Sequence, residues 1–248
     1  MDAIPWNKSF VDGSDFAAAT DPQTLISAGW DYFTSSESVE VSLLIAGSPN
    51  AAATRAIIDD VADVRKDCVV FLSPEYADVT SSTKPSQISE NVIDYRVNEL
   101  TSISSSYAVM DSGWKYQYDK YNNIFRWTPL NGDIAGLCAR TDHLRDSWWS
   151  PAGFQRGNVK NVVKLAWNPS ETHRGDLYRN QINPVVTFPG QGTVLYGDKT
   201  MQTRPSAFDR INVRRLFITL EKAISRSAKF ALLSLIHISE PTRPLYIS

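Results

Sequence analysis

Apolar residues in this chain fall into two alternating patterns: short β-branched or aliphatic runs, and longer stretches with apolar positions every three to four residues. The first forty residues lack sustained periodicity; Ile4, Trp6, Phe10 and Phe16 can anchor a loop, and Leu25 to Phe33 a short helix. Val39 to Ala46 reads as a buried strand stopped by Gly47, Ser48 and Pro49. Asn50 can cap a helix from Ala51 to Lys66, with Ile57, Val61 and Val64 on the apolar face and Asp59, Asp60, Asp63 and Arg65 on the wet side. Cys68 to Leu72 follows as a short continuous apolar run. Strand, amphipathic helix and buried strand in that order make a βαβ unit with parallel strands, because the crossover helix returns the chain to the same end of the sheet.

A second step extends this sheet. Ile88 to Ile103 repeats the helical pattern through Val92, Tyr95, Glu99 and Leu100, and Tyr107 to Met110 supplies another strand. Lys115 to Tyr118 and Ile124 to Trp127 read as a hairpin, Leu130 to Leu144 as a helix, and Val159 to Trp167 as a strand. A domain boundary is expected near Trp167 and Asn168, where Pro169 opens a short helix toward Tyr178. Ile182 to Phe188 and Thr193 to Tyr196 flank Pro189, Gly190, Gln191 and Gly192, which is turn chemistry joining two strands. Ser206 caps a long helix to about Phe230, with Ala207, Ile211, Leu216, Leu220, Ala223 and Ile224 as its core stripe and the arginines outside it. The expected fold class is α/β: a mostly parallel sheet with crossover helices over residues 1–168, followed by a small α+β C-terminal domain over residues 169–232.

Composition adds little: 42% hydrophobic and 21% charged residues in 248 are ordinary globular values, enough to bury a core. The formal net charge of −2 supplies no global basic field, which argues against a nucleic-acid partner, and no uncharged run reaches membrane-spanning length. Charge is uneven, however. Acidic residues dominate the first quarter, whereas Arg204, Arg210, Arg214, Arg215, Lys222, Arg226 and Lys229 outnumber Asp209 and Glu221 near the other end. Opposite fields favour head-to-tail association; two solvated faces are the alternative.

Candidate chemistry is thin. Cys68 and Cys138, both in apolar surroundings, suit reduced buried thiols better than a disulfide or metal site. His143, His173 and His237 stand in no motif that would make one of them the base for a nucleophile. Gly190, Gln191 and Gly192 lack the Lys-Ser or Lys-Thr ending and the following helix of a phosphate-binding loop. The rival to a non-enzymatic reading is an α/β hydrolase-like enzyme, since Ser48 and Ser73 follow expected strands; a histidine within hydrogen-bond reach of a serine would revive it.

TPLNGDIAGLCARTD from Thr128, SPAGFQRGNVKNVVKLAWNP from Ser150, INPVVTFPGQGTVLYGDKT from Ile182 and SAFDRINVRRLFITLEKAI from Ser206 resemble, in this order and spacing, the tail sheath protein of contractile-tailed (myovirus) bacteriophages. KDCVVFLSP from Lys66 and YAVMDSGWKYQYDKYN from Tyr107 are similar as well, so the resemblance runs from about Val41 to Phe230. It implies a structural subunit without cofactor or metal, forming hexameric rings stacked helically around a tail tube. Its expected partners are further copies of itself, the tail tube protein, and the baseplate and tail terminator proteins. Its expected place is the virion, and the host cytoplasm during assembly. The family's strand exchange between neighbours points to Val185, Val186, Phe188, Val194 and Tyr196 as a receiving sheet. The family's placement of the C-terminal helix beside the tube makes Arg210, Arg214, Arg215 and Lys222 candidates for tube contact, with intramolecular pairs as the alternative. Two departures stand out. Members of the family carry several hundred residues ahead of the position of Met1, so Met1 is not expected to be the native start. LSLIHISEPTR from Leu233 resembles the translation of a transposon-based sequencing-library adapter, so residues 233–248 are set apart from the fold.

Overall fold

The computed structural model describes residues 22–231; the expected anchors Ile4, Trp6, Phe10 and Phe16 and the segment 233–248 lie outside them. Helix α1 (Pro22–Asp31) precedes strand β1 (Leu43–Ile45), which is shorter than the apolar run containing it. The first half of that run sends its carbonyls elsewhere: Val39 O accepts from Arg65 Nη2 at 2.7 Å, and Val41 O accepts from Lys222 Nζ. Helix α2 (residues 51–65) is capped as expected, the Asn50 side chain accepting from Ala53 N at 2.9 Å. Strand β2 (Val69–Leu72) follows and pairs parallel with β1, Leu43 opposite Val69, so the βαβ unit is present.

The helix phase departs from expectation. Residues Ile57–Ala62 form π-type turns, which place an extra residue in each turn and advance the buried face by about one position. Ile57, Ile58, Val61 and Ala62 are buried, Val64 is 63% exposed, and Arg65 occupies the inward position expected for Val64. Arg65 was placed on the wet side by periodicity; the structure corrects this. Its guanidinium bonds both oxygens of Asp67, at 2.8 and 3.0 Å, and reaches the carbonyls of Phe33, Ser35 and Val39.

A second crossover, helices α3 (Tyr76–Thr80) and α4 (residues 85–99), leads to β3 (Ala108–Asp111), parallel to β2. The antiparallel hairpin β4 (Trp114–Asp119) and β5 (Ile124–Pro129) and helix α5 (Asn131–Leu144) come next, as expected. The run Val159 to Trp167, expected as one strand, is mostly irregular. Val159 N donates to Thr193 O, Asn161 takes a positive φ of 54°, and only β6 (Lys164–Leu165) pairs with β4. One run thus serves two sheets.

Helix α6 (Glu171–Arg179) leads to β7 (Ile182–Asn183), which joins β3 in parallel, so the main sheet reads β1-β2-β3-β7. Pro184 has no N–H and divides the apolar run there. Beyond it, β8 (Val185–Phe188) and β9 (Gly192–Leu195) form a separate antiparallel hairpin. Residues on both sides of the expected boundary share one core, in which Trp167, Leu177, Ile182 and Met201 pack with α2, α4 and one face of the sheet. Val69, Phe71 and Val109 point to the other face, against α5, Val185, Leu195 and the final helix α7 (Ile211–Ala231). The central strands β2 and β3 are therefore buried on both sides, which explains their continuous apolar runs, whereas β1, at the sheet edge, leaves Ile45 50% exposed.

α7 also departs from expectation. Its inward face is Ile211, Arg214, Arg215 and Ile218, all under 10% exposed, while Leu220 and Ile224 are 45% and 66% exposed. Two apolar sets at helical spacing occupy opposite faces, and the sequence pattern merges them.

Removing the Arg65 guanidinium leaves three carbonyls without that donor and Asp67 with only the more distant Lys222, at 3.7 Å. Arg65→Leu is expected to lower unfolding stability by about 3 kcal/mol, the range for breaking a buried pair, as read from urea denaturation midpoints at constant m-value.

Candidate functional site

The C-terminal ends of parallel strands are the usual place for an α/β active site, and here they are tied shut. Ser73 Oγ, just past β2, donates to Asp111 Oδ2 at 2.6 Å, and Asp111 Oδ1 accepts from Gly113 N at 2.9 Å. Asn131, opening α5, donates from its backbone N to Ser73 Oγ at 3.1 Å and from Nδ2 to the carbonyl of Gly47, past β1. The network joins three strand ends to one helix. Asp111 is fully buried, and burial pushes its carboxyl well above the usual range despite the bonds from Ser73 and Gly113. Ser73 therefore faces a carboxyl group rather than an imidazole. Among the described residues, neither the His143 nor the His173 side chain hydrogen-bonds a serine; His173 lies against the Trp167 ring at 6.2 Å. Among the described residues, the geometry that would revive a hydrolase is not met.

Cys68 and Cys138 are free and buried, burial pushing their thiols up to about 11 and about 12. They are inert at neutral pH, in line with the reading of two reduced structural thiols.

The two runs expected as a receiving sheet pair with each other as the hairpin β8–β9. Val185, Val186 and Val194 are buried, while Tyr196 is 46% exposed and packs with Phe188 and Phe154 into a surface cluster of rings 5.2 to 5.8 Å apart. The turn between the strands holds Gly190 at φ 75°, the left-handed region that glycine occupies freely. Both edges of the hairpin have partners within the chain. The β9 edge is lined by residues 153–159: Leu195 N donates to Gly157 O at 2.8 Å and Gly153 N to Leu195 O at 2.9 Å. A Cβ on Gly157 would lie 2.8 Å from Leu195 O, so this approach requires glycine. The β8 edge is met by side chains alone: Val185 N donates to Ser112 Oγ at 2.9 Å and Thr187 N to Asn168 Oδ1 at 2.8 Å. Asn168 was read as part of a domain boundary where a short helix opens, so sequence reasoning missed its bonding to the β8 edge.

The four cations named for tube contact all have intramolecular partners. Arg210 pairs with Asp198 at 2.6 Å and with the Tyr178 hydroxyl, and its side chain keeps 43% exposure. Arg214 lies between the rings of Tyr107 and Phe208, at 4.3 and 4.0 Å, and donates to the Tyr107 hydroxyl. Arg215 pairs with Asp142, and Lys222 bonds Ser42 Oγ at 3.0 Å and the carbonyl of Val41. The outward face of α7 presents Phe217, Leu220 and Ile224 instead.

A closed strand-end network, two buried thiols and a parallel sheet whose central strands are covered on both faces define an α/β protein. Residues 20–201 match the family described as the phage tail sheath protein central domain, and the chain belongs to that family. The matched span crosses the expected boundary near residue 168. The chain is 46% identical over 246 residues to the tail sheath protein of Vibrio phage KVP40, covering 92% of this chain and 36% of that protein. It is 45% identical over 218 residues to the tail sheath protein of Enterobacteria phage T4, covering 83% and 33%. It thus spans about a third of the length of these relatives. Among solved structures, the baseplate of the anti-feeding prophage aligns at a TM-score of 0.62 with 19% identity, covering 88% of this chain and 52% of that one. The contracted helical sheath of the same particle aligns at 0.61 and 19%, covering 89% and 54%. These two likenesses show the fold.

The buried Asp111 gives a test of the strand-end network. Its folded carboxyl holds a proton to higher pH than the unfolded one, near 3.9, so the unfolded state binds fewer protons between the two values and stability falls as pH rises through that window. Asp111→Asn cannot ionise. The difference in unfolding free energy, variant minus wild type, is expected to climb by about 1.4 kcal/mol per pH unit above roughly pH 4 until Asp111 itself ionises. Denaturation at several pH values reads this slope; a flat difference would contradict it.

Proposed function

We propose that this chain is part of a contractile-tail sheath subunit that polymerises with copies of itself around a tail tube and shortens to drive genome ejection. The observation that carries this reading is identity near 45% to two tail sheath proteins across most of the chain. Identity at that level over a continuous α/β core supports shared packing surfaces as well as shared topology. The likeness to sheath and baseplate structures supports ring and helical assembly in contact with a baseplate. The proposal extends to hexameric rings, to tail tube and tail terminator proteins as partners, to the virion as final location and to the host cytoplasm during assembly.

Within this reading, the β8–β9 hairpin, with Val185, Val186, Phe188, Val194 and Tyr196, remains the proposed receiver for an extended segment of a neighbour. The β8 edge supports this better than the β9 edge, which is already lined by backbone. For the tube, the proposed contact on α7 shifts. Arg210 alone among the four cations keeps a large exposed fraction, and Phe217, Leu220 and Ile224 form an apolar ridge beside it. Burial of that ridge, rather than salt-sensitive pairing, would dominate such a contact.

A full-length subunit carrying this chain is expected to form regular tubes visible by electron microscopy; a protein that stays monomeric at high concentration would refute the assembly reading. Thr187→Pro removes an outward-facing N–H and the hydroxyl bond to Thr193 while leaving the main-chain bonds between β8 and β9 in place, because Thr187 N points to Asn168 rather than to β9. Tube yield in sedimentation is expected to fall at least ten-fold with this variant, with the circular dichroism of the unassembled subunit unchanged.

A further inference from the structure

Two asparagines near the hairpin use the same bonding device, and they differ in exposure. Asn183, fully buried, accepts from Lys199 N at 2.7 Å and donates to Lys199 O at 2.7 Å and to Met110 O at 3.0 Å. Asn168 accepts from Thr187 N at 2.8 Å and donates to Thr187 O at 3.1 Å. Each carboxamide offers one acceptor and one donor to the N–H and C=O of a single residue, which is what a neighbouring strand offers in a ladder. Opening the Asn183 pair would strand buried groups, so that pair is locked. Asn168 and Thr187 are both exposed, and water can take over either bond.

A groove of about 670 Å³ runs beside the exposed pair, between residues 158–165 and the hairpin, and Asn168 and Thr187 line it. Val163 in this groove is 57% exposed. Lys160 and Lys164 stand along it, and neither forms an ion pair with a carboxylate among the described residues. Lys164 lies instead over the rings of Tyr116 and Trp127, at 5.3 and 5.5 Å. The opening thus suits an extended segment that brings main-chain donors and acceptors, an apolar side chain and negative charge. The first quarter of this chain is rich in Asp and Glu, so a second copy supplies that charge.

We propose that Asn168 is a removable stand-in for a strand: it closes the β8 edge in the lone subunit and is displaced when an acidic extended segment of a second copy pairs with Thr187. This rests on the strand-addition reading above and adds to it a residue that controls when the edge opens. In an unpaired subunit the edge is protected from chance association, the hazard of any free strand edge.

The test uses the full-length subunit. At low concentration, where it is unassembled, Asn168→Ala is expected to speed amide exchange of Thr187 at least ten-fold while Val186, bonded within the hairpin, is unchanged. At assembly concentration the same variant is expected to shorten the lag before tube formation several-fold. Asn168→Asp, which cannot donate to Thr187 O and adds a negative charge beside the incoming segment, is expected to lengthen it. An unchanged lag in Asn168→Ala, with Thr187→Pro still blocking assembly, would overturn the role of Asn168 and leave strand addition standing. Normal assembly of Thr187→Pro would overturn strand addition at this edge, and the role of Asn168 with it.

Discussion

A backbone N–H or C=O taken out of water must find a partner, and in this fold the regular ladders leave many such groups over. The parallel strands are only two to four residues long, so a large share of the main chain around them lies outside any ladder. Side chains fill the gap. Arg65 takes the carbonyls of Phe33, Ser35 and Val39, and Arg96, itself buried, takes those of Ile103 and Met201. The indole N–H groups of Trp114 and Trp167 reach Pro74 O and Ser112 O, and Asn131 reaches Gly47 O. Long polar side chains act here as connecting pieces of backbone, which explains why charged residues occupy core positions.

This constraint separates what was legible in the sequence from what was not. The βαβ unit, the β4–β5 hairpin and the Asn50 cap were readable because each rests on a local rule: a period, a turn composition, a capping residue. The burial of Arg65, Arg214 and Arg215 was not, because hydropathy patterns assign any arginine to solvent, whereas Arg65 is held by Asp67 two residues on and by the carbonyls of Phe33, Ser35 and Val39, and Arg214 and Arg215 by Tyr107 and Asp142 from distant parts of the chain. The π-type turns in α2 slid the phase by a residue, and no local signal announced them. The run Ile182 to Phe188 gave its division away only through Pro184. For the candidate site, family resemblance brought the hairpin to attention, but the covering of its edges by residues 153–159 and by Asn168 depends on tertiary contacts and Gly157 packing that no short window contains.

The inward turn of the arginines also changes how surface charge should be understood. The basic surplus toward the end of the chain suggested a surface for acidic partners, yet three of the four cations weighed for that role are largely buried. Their energy goes into holding α7 on the sheet, through Asp142, Val41 and Tyr107. What α7 leaves outside includes the apolar residues Phe217, Leu220 and Ile224.

A polymer that must slide from one packing to another is better served by such surfaces than by fixed ion pairs. An apolar ridge such as Phe217, Leu220 and Ile224 gains free energy in proportion to the area covered and imposes little direction, so a partner can shift along it at modest cost. Main-chain strand pairing does the opposite, fixing neighbours in register through directional bonds. A subunit that combines a directional edge at β8 with a non-directional face on α7 can stay linked to its neighbours while its contacts with an inner partner change. On the proposed sheath reading the core need not deform, because the short parallel sheet is closed at its strand ends by Asp111 and Asn131 and would act as a rigid body in both arrangements.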